Sequence, residues 1–247
     1  GAGRTNFITR HPSIATTIWT GSPAGGLWKS TDGGSNWTTN TDNMAQVIGC
    51  TDMAIDPSNP NTMYLATGDG DGGNTFTVGL LKTTDGGTNW NTTGLSFSAA
   101  NYRQISRVLI DPTNTNVILV ASTSGIYRST DGGANFTLAQ SGGFKDMEFK
   151  PGVGGSATVY AVGTEYFRST NNGANWTKIT TAPLPAATLV SRMSIAVSAA
   201  DANYVYILAA APPANPGLGF QGIYQSTNGG TTFTKKTTSP SNILGWA

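Results

Sequence analysis

Five copies of one eight-residue segment recur along the chain and constrain its fold more than any other feature. Each copy follows the pattern Ser/Thr-Thr-Asp/Asn-Gly/Asn-Gly-x-Asn/Thr-Trp/Phe, and the copies occupy residues 30–37, 83–90, 129–136, 169–176 and 226–233. Their third residues are Asp32, Asp85, Asp131, Asn171 and Asn228, so the intervals are 53, 46, 40 and 57 residues (85−32, 131−85, 171−131 and 228−171). A period of this size indicates stacked supersecondary units, of which four-stranded propeller blades are the leading case.

The residues around each copy read as four short strands. β-Branched and aromatic runs alternate with Pro, Gly, Asn and Asp, and no segment has a helical period. We therefore predict an all-β protein, a β-propeller of four-stranded antiparallel blades. The predicted blades are 1–40, 46–93, 103–139, 144–180 and 190–237, with 238–247 a linker toward a further blade. Open end blades would expose sheet edges, which favours a larger propeller of about seven to ten blades; a closed five-bladed ring is the alternative.

The repeated segment has the chemistry of a tight turn. Its glycines tolerate a positive φ, and the side-chain oxygen of Asp or Asn accepts hydrogen bonds from backbone N–H groups of the turn. The closing aromatic ring is then expected to pack between neighbouring blades. We accordingly predict structural roles for Asp32, Trp37, Asp85, Trp90, Asp131, Phe136, Asn171, Trp176, Asn228 and Phe233.

Composition excludes several classes of function. Charged residues make up 11% of the chain and the net charge is +1, so nothing favours a nucleic-acid partner. No apolar run reaches the length of a bilayer span, so we expect no membrane insertion. The single cysteine, Cys50, excludes an internal disulfide and argues against a cysteine-based zinc site. No signal peptide is recognisable, and we expect any targeting segment to lie outside this sequence.

The pattern S-x-D-x-G-x-x-W/F resembles the Asp-box (bacterial neuraminidase) repeat. With their flanking strands, the five copies are similar to the repeats of sortilin-type and xyloglucanase-type propellers in large secreted proteins of Bacteroidota-type bacteria. The resemblance implies a secreted or cell-surface bacterial location, further domains in the same parent chain, and Asp-box residues that lie away from the binding face. The resemblance to xyloglucanase-type propellers implies a catalytic Asp just before a Gly-Gly pair in the first blade, but the matching residues, 22–28, read S-P-A-G-G-L-W and contain no acid. The (F/Y)-R-I-P motif of sialidases is also absent from the sequence.

Sorting the acidic residues by blade position leaves few candidates for catalysis. The hairpins and the turns between first and second strands share one face of a blade, whereas ligand sites gather on the opposite face. Glycoside hydrolysis needs two carboxylates about 5 to 9.5 Å apart. The candidates are Asp69 and Asp71, in a glycine-rich loop that is a poor platform for such geometry, and Glu165, which replaces a glycine of the other units.

Charged residues at the starts of first strands are candidates for ligand binding. Arg4, Arg107 and Arg192 occur there in units one, three and five, and three converging cations would bind an anionic sugar or carboxylate. The favoured alternative is that they form salt bridges with Asp52 and Asp146, which occupy this place in units two and four.

Two long loops on the same face provide the remaining candidates. Phe76 and Phe220 would offer aromatic platforms for a sugar ring or a peptide, or else would fold back onto the propeller. Calcium is a possible cofactor at Asp69, Asp71 and Asn74, although their spacing does not match an EF-hand.

These observations favour a non-catalytic module for adhesion or for glycan or peptide binding. The alternatives are a glycoside hydrolase domain with part of its active site outside this sequence, and an architectural spacer. The sequence leaves all three open.

Overall fold

The structure is a computed structural model that describes residues 4–39, 41–42, 44, 49–73, 75–152, 157–212 and 219–237. The predicted linker, 238–247, lies outside the described residues. The chain divides into two units, Gly1–Leu138 and Ala139–Ala247.

Five antiparallel sheets of four strands each form the fold, and in every sheet consecutive strands are neighbours. The strands of unit 1 are β1 (Phe7–Arg10), β2 (Ile18–Ser22), β3 (Gly26–Ser30) and β4 (Thr38–Thr39) in sheet 1, β5 (Cys50–Ile55), β6 (Met63–Thr67), β7 (Gly79–Thr83) and β8 (Asn91–Ser96) in sheet 2, and β9 (Ile105–Ile110), β10 (Ile118–Ser122), β11 (Gly125–Ser129) and β12 (Thr137–Ser141) in sheet 3. The last of these strands crosses the boundary between the units.

Unit 2 holds the other two sheets. Its strands are β13 (Asp146–Phe149), β14 (Val159–Val162), β15 (Tyr166–Ser169) and β16 (Thr177–Ile179) in sheet 4, and β17 (Arg192–Val197), β18 (Val205–Ala210), β19 (Phe220–Ser226) and β20 (Thr234–Lys235) in sheet 5. Two short 3-10 helices, Ala99–Asn101 and Ala187–Leu189, lie in links between sheets. The predicted all-β fold of four-stranded antiparallel sheets is confirmed.

Apolar side chains between consecutive sheets form the core. Sheets 1 and 2 enclose a cluster that includes Trp19, Leu27, Met63 and Leu65, all buried. Sheets 2 and 3 enclose a second cluster, and sheets 4 and 5 enclose a third within unit 2. Burying one such side chain contributes about 1.5–3 kcal/mol, so these sandwiched layers account for most of the favourable free energy of folding.

The repeated segments are the β3–β4, β7–β8, β11–β12, β15–β16 and β19–β20 hairpins. In the first, the Ser30 hydroxyl donates to Asp32 Oδ1 at 2.8 Å, and the Asn36 N–H donates to the same oxygen at 2.9 Å. The Asn36 side-chain amide donates to Asp32 Oδ2 at 2.7 Å. The same bonds recur around Asp85 and Asp131.

The Asn copies keep part of this network. The amide oxygens of Asn171 and Asn228 accept from the backbone N–H of Asn175 (2.9 Å) and Thr232 (3.0 Å), respectively. The fourth residue of each hairpin also donates its N–H to a carbonyl in the turn between the first two strands of its sheet, as Gly132 does to Asn116 at 2.9 Å. The hairpin therefore anchors one end of every sheet.

The hairpin carboxylates are strongly biased toward their charged form. The backbone N–H of the Asn four residues on, then its side-chain amide and the preceding hydroxyl, lower the pKa of Asp32, Asp85 and Asp131 to about 2 each. These acids are fully engaged in turn hydrogen bonds.

Candidate functional site

The link between sheets 2 and 3 carries the most exposed aromatic ring among the described residues, that of Tyr102 (71% exposed). The link ends its 3-10 helix at Tyr102, which adopts a left-handed conformation with φ 54° and donates its N–H to the Ala99 carbonyl at 3.1 Å. A left-handed backbone is uncommon for a bulky residue and occurs mostly where surrounding contacts hold it. The ring is thereby directed into solvent from a fixed backbone.

Backbone hydrogen bonds fasten this link on both sides. The Phe97 N–H donates to the Val78 carbonyl at 3.0 Å, and the Thr77 N–H donates to the Arg103 carbonyl at 3.1 Å. On the other side, the Thr123 N–H donates to the Gln104 carbonyl at 3.0 Å. The link is thus bonded to the β6–β7 loop and to the β10–β11 turn, which makes it a rigid support for exposed side chains.

Tyr102 belongs to an aromatic cluster, defined here as Phe76, Phe97, Tyr102, Arg103 and Tyr127. Phe76 meets the Tyr102 ring edge to face, with 5.0 Å between centroids. Arg103 lies 4.9 Å from the Phe97 centroid and donates to the Tyr127 hydroxyl at 3.2 Å. Phe97 and Tyr127 also meet edge to face at 5.6 Å. Tyr102 thus offers an exposed ring, and the next residue in the chain, Arg103, has a guanidinium oriented by Phe97 and Tyr127.

The β6–β7 loop contains a buried carboxylate, Asp69, that pairs with the partly exposed Arg4. Asp69 is completely buried and accepts from the Arg4 guanidinium and from the Asp71 N–H, the latter at 3.1 Å. A Cβ on Gly72 would lie 2.9 Å from both Asp69 Oδ2 and Arg4 Nη1, so only glycine covers the pair without a clash. Asp69 therefore ties this loop to the start of the chain and has no face open to a substrate.

In both units, a carboxylate on the first strand of one sheet accepts a hydrogen bond from the first strand of the next sheet. Asp52, on β5, accepts from the Val108 N–H of β9 at 2.8 Å and lies 3.8 Å from the Arg107 guanidinium. In unit 2, Asp146 on β13 accepts from the Ile195 N–H of β17 at 3.0 Å. Each of these acids joins the first strands of two consecutive sheets. Arg107 thus lies by Asp52, whereas Arg4 pairs with Asp69 in the loop.

A groove of about 550 Å³ runs along the first strands of the three sheets of unit 1, β1, β5 and β9. Its lining includes Ile8 and Arg10 of β1, Asp52 of β5, and Arg107 and Leu109 of β9. The groove is lined mainly by apolar side chains with two cations and one acid.

Three residues of unit 2 that the sequence suggests for catalysis or ligand binding differ in their exposure to solvent. Glu165 forms a surface pair with Lys178 at 3.1 Å. Phe220 is buried (6% exposed) at the start of β19, where it pairs with Ala210, so its ring offers no face to a ligand in this structure. Arg192 is exposed at the start of β17.

The calcium hypothesis gains nothing from the geometry. Asn74 lies outside the described residues, Asp69 is engaged by Arg4, and Asp71 is exposed. Within the described ranges, no group of three or more His, Cys, Asp or Glu side chains is placed to hold a metal ion. No helix in the described part of the chain has the length and apolar character to cross a membrane.

The site brings together residues that sequence reasoning did not connect. Phe76 is a candidate from its loop, but Tyr102, Arg103 and Tyr127 are not. The available signal is that Tyr102 and Arg103 interrupt an otherwise small and polar stretch between two strand patterns, S-A-A-N before them and Q after them.

Sequence comparisons find distant relatives among carbohydrate-active enzymes. No protein-family model matches the chain. Over 158 residues it is 28% identical to a xyloglucanase of Hypocrea jecorina (strain QM6a), covering 57% of this chain and 18% of that protein. Over 192 residues it is 24% identical to a probable oligoxyloglucan-reducing end-specific xyloglucanase of Neosartorya fischeri, covering 55% of this chain and 24% of that protein. The chain thus spans about a quarter or less of these curated relatives.

Solved structures share the fold over nearly the whole chain. An ancestral GH74 enzyme superposes with a TM-score of 0.71 at 19% identity, covering 95% of this chain and 33% of the enzyme. The GH74 xyloglucanase from Xanthomonas campestris gives 0.59 at 15% identity, with 95% and 45% covered. YCF48 from Cyanidioschyzon merolae gives 0.55 at 14% identity, with 95% and 85% covered. The chain therefore has a propeller-like all-β fold.

Proposed function

We propose that this chain is a non-catalytic, glycan-binding segment of an extracellular propeller protein, built on Asp-box repeats. The observation that carries the proposal is Tyr102, an exposed ring on a hydrogen-bonded link, backed by Phe76 and next to Arg103. An aromatic face stacks on the apolar C–H face of a sugar ring, and a neighbouring guanidinium donates hydrogen bonds to its hydroxyls. The two curated relatives are named for action on xyloglucans, which supports a carbohydrate ligand and an extracellular location.

The placement of Tyr102 also supports the proposal. In each sheet, the β3–β4 type of hairpin and the turn between the first two strands lie at one end. The link that carries Tyr102 and the β6–β7 loop that carries Phe76 lie at the other end, away from the hydrogen-bonded hairpin aspartates.

The carboxylates favour binding over hydrolysis. Catalysis needs one carboxyl group to protonate the glycosidic oxygen and a second to act as nucleophile or base. Asp69 is buried beneath Gly72 and paired with Arg4, so it could reach a glycosidic bond only if that ion pair broke and the loop opened. Asp71 is exposed, but no second accessible carboxylate among the described residues of its loop accompanies it. Glu165 belongs to unit 2 and pairs with Lys178.

A polysaccharide panel tests the proposal. Wild-type chain is applied to affinity gels containing xyloglucan, unbranched β-1,4-glucan, β-1,3-glucan or an anionic pectin, and the same mixtures are assayed for new reducing ends. Retardation without new reducing ends is the expected result. Cleavage that is lost on Asp71→Asn or Glu165→Gln would instead support the hydrolase alternative, and neither retardation nor cleavage on any polymer would support the architectural one.

A further inference from the structure

The guanidinium of Arg103 is held by neutral partners. Arg103 Nη1 donates to the Tyr127 hydroxyl at 3.2 Å, and the guanidinium lies 4.9 Å from the centroid of the Phe97 ring. The Arg103 carbonyl accepts the Thr77 N–H at 3.1 Å, which holds the backbone from which the side chain extends. The side chain is therefore fixed both at its backbone and at its guanidinium.

The Tyr127 hydroxyl belongs to a chain of hydroxyl groups at the β10–β11 turn. Its oxygen lies 3.1 Å from Ser124 Oγ, and Ser124 Oγ lies 3.2 Å from Ser122 Oγ. The Ser122 hydroxyl donates to the Gly125 carbonyl at 2.8 Å. The chain of hydroxyls therefore ends on a backbone acceptor of the sheet itself.

The direction of every hydrogen bond in this chain follows from the fact that a hydroxyl carries one proton. Ser122 gives its proton to the Gly125 carbonyl, so it accepts from Ser124. Ser124 then has no second proton to give, so it accepts from Tyr127. Tyr127 in turn accepts from Arg103, whose guanidinium only donates. Since hydrogen bonds in such a chain polarise one another, they strengthen the hold of Tyr127 on the guanidinium.

The positive charge of Arg103 distinguishes it from two other arginines of unit 1. Arg4 pairs with Asp69, and the Arg107 guanidinium lies 3.8 Å from Asp52. Arg103 forms no ion pair with any acid in the part of the chain that the structure describes. Its side chain is only partly buried, and Tyr127 takes up one of the five N–H donors of the guanidinium. Charge and donors thus remain for a ligand.

A carboxylate is the ligand group that matches this arrangement. A guanidinium presents its N–H groups as a planar fork, which binds the two oxygens of a carboxylate at once, whereas a sugar hydroxyl offers one oxygen. Arg103 directly follows the exposed Tyr102, so their Cα atoms are about 3.8 Å apart. One oligosaccharide can therefore contact both residues.

We propose that the site around Tyr102 selects acidic glycans, those that carry the carboxylate of a uronic acid. Arg103 is the specificity-determining residue, and Tyr127 is a positioning residue that acts through it. The inference rests on the proposed glycan-binding function and names the class of glycan. Tyr102 stacks on a sugar ring, and Arg103 binds the carboxylate through two parallel hydrogen bonds.

Isothermal titration calorimetry of the full chain with a matched pair of ligands tests this selectivity. The ligands are an oligogalacturonate and the same oligosaccharide with its carboxyl groups converted to methyl esters, which removes the charge and keeps the sugar backbone. The wild-type chain should bind the acid about tenfold or more tightly than the ester at low salt, as expected for a charge-assisted contact. The preference should shrink as NaCl rises from about 20 mM to about 500 mM, because salt screens the charges.

Three variants assign the preference to its residues. Arg103→Gln should bind the acid and the ester equally, within about twofold. Tyr127→Phe keeps the charge but releases the guanidinium, so it should lose about threefold in affinity for the acid and none for the ester, a split that general damage to the fold would not produce. Lys236→Gln removes an exposed positive charge of unit 2 and should keep the wild-type preference, as the control for net charge.

The possible failures are distinguishable. Equal binding of acid and ester by the wild-type chain would overturn the selectivity and leave the proposed glycan-binding function intact, whereas no binding of any oligosaccharide, acidic or neutral, would overturn both. A wild-type preference that persists in Arg103→Gln, or that is lost equally in Lys236→Gln, would overturn the role of Arg103. Displacement of the oligogalacturonate by an equal concentration of an oligoglutamate peptide would overturn the assignment of the ligand as a glycan. Circular dichroism melts verify that each variant remains folded.

Discussion

The hydroxyl of Tyr64 in sheet 2 donates a 2.8 Å hydrogen bond to the carbonyl of Gly132 in the hairpin of sheet 3, 68 residues further along the chain. This bond joins the two features that organise unit 1, the stacking of sheets and the repeated hairpin. Because Tyr64 is almost completely buried, its ring and its hydroxyl both act at the junction.

Removing the Tyr64 hydroxyl should weaken this junction measurably. Lys82 still donates to the Gly132 carbonyl in Tyr64→Phe, so we expect a loss of about 1 kcal/mol in the free energy of unfolding, the usual net value of one hydrogen bond. Urea unfolding followed by fluorescence measures it. Tyr206→Phe is the matched control, because that hydroxyl accepts an exposed hydrogen bond from Gln225, and its effect should stay within about 0.5 kcal/mol. Equal effects of the two substitutions would contradict the role assigned to the junction.

Much of this scaffold can be predicted from the sequence because its determinants are local. Hairpin chemistry depends on residues at most four apart, so the Asp-Gly-Gly pattern suffices to anticipate the turn around Asp85 and the positive φ of Gly86 and Gly87. Apolar alternation likewise places strands such as β9 and β17.

The burial of a side chain by a neighbouring sheet cannot be predicted from the local sequence in the same way. Trp37 and Phe233 occupy the same place in the repeat, yet Trp37 is substantially exposed, whereas Phe233 is buried because it packs on Tyr166 of sheet 4. Phe220 is similarly buried by its strand pairing, although its loop suggests an exposed ring.

The candidate site is harder still to anticipate. The direction of the Tyr102 ring follows from a left-handed backbone at the end of a 3-10 helix, a conformation that its residue type disfavours. The burial of Asp69 follows from a partner 65 residues away, Arg4, and from the absence of a side chain on Gly72. Such long-range contacts have no local signature in the chain.

Acid should weaken the Asp hairpins and leave the Asn hairpins unaffected. The pKa of Asp131 is about 2 in the folded chain and near 3.8 when unperturbed, so its contribution is fully present above about pH 4 and is lost as the pH falls through about 2. In Asp131→Asn, urea unfolding at pH 4, 3 and 2 should show a smaller loss of stability than in the wild type.

The reverse substitution provides the control for that experiment. Asn228→Asp introduces a titrating carboxylate into a hairpin whose amide oxygen already accepts the Thr232 N–H, so it should steepen the loss of stability between pH 4 and 2. If neither substitution changed the loss of stability between pH 4 and pH 2, the low pKa values of the hairpin aspartates would not arise from the hairpin hydrogen bonds.

The ion pairs Arg4–Asp69 and Lys178–Glu165 should differ sharply in their contribution to the free energy of unfolding. Asp69→Asn leaves the Arg4 guanidinium beside a buried amide and should lower the free energy of unfolding by about 2 kcal/mol, less than for a fully buried pair because Arg4 is partly exposed. Glu165→Gln removes an exposed pair with Lys178 and should cost less than about 0.5 kcal/mol. Urea unfolding of both variants at neutral pH measures the difference, and similar values for the two would contradict the structural role of Asp69.

The central claim is that Tyr102 supplies the stacking face for a sugar ring, and isothermal titration calorimetry of Tyr102 variants tests it most directly. The ligand is an oligosaccharide of the polymer that retards the wild-type chain most strongly. Tyr102→Ala should weaken binding about tenfold or more, equivalent to ~1.4 kcal/mol, and Tyr102→Phe should bind within about threefold of the wild type because it keeps the ring. Ile14→Ala, at an exposed apolar position at the opposite end of the sheets of unit 1, is the control and should bind like the wild type. Undiminished binding by a folded Tyr102→Ala chain would contradict the claim.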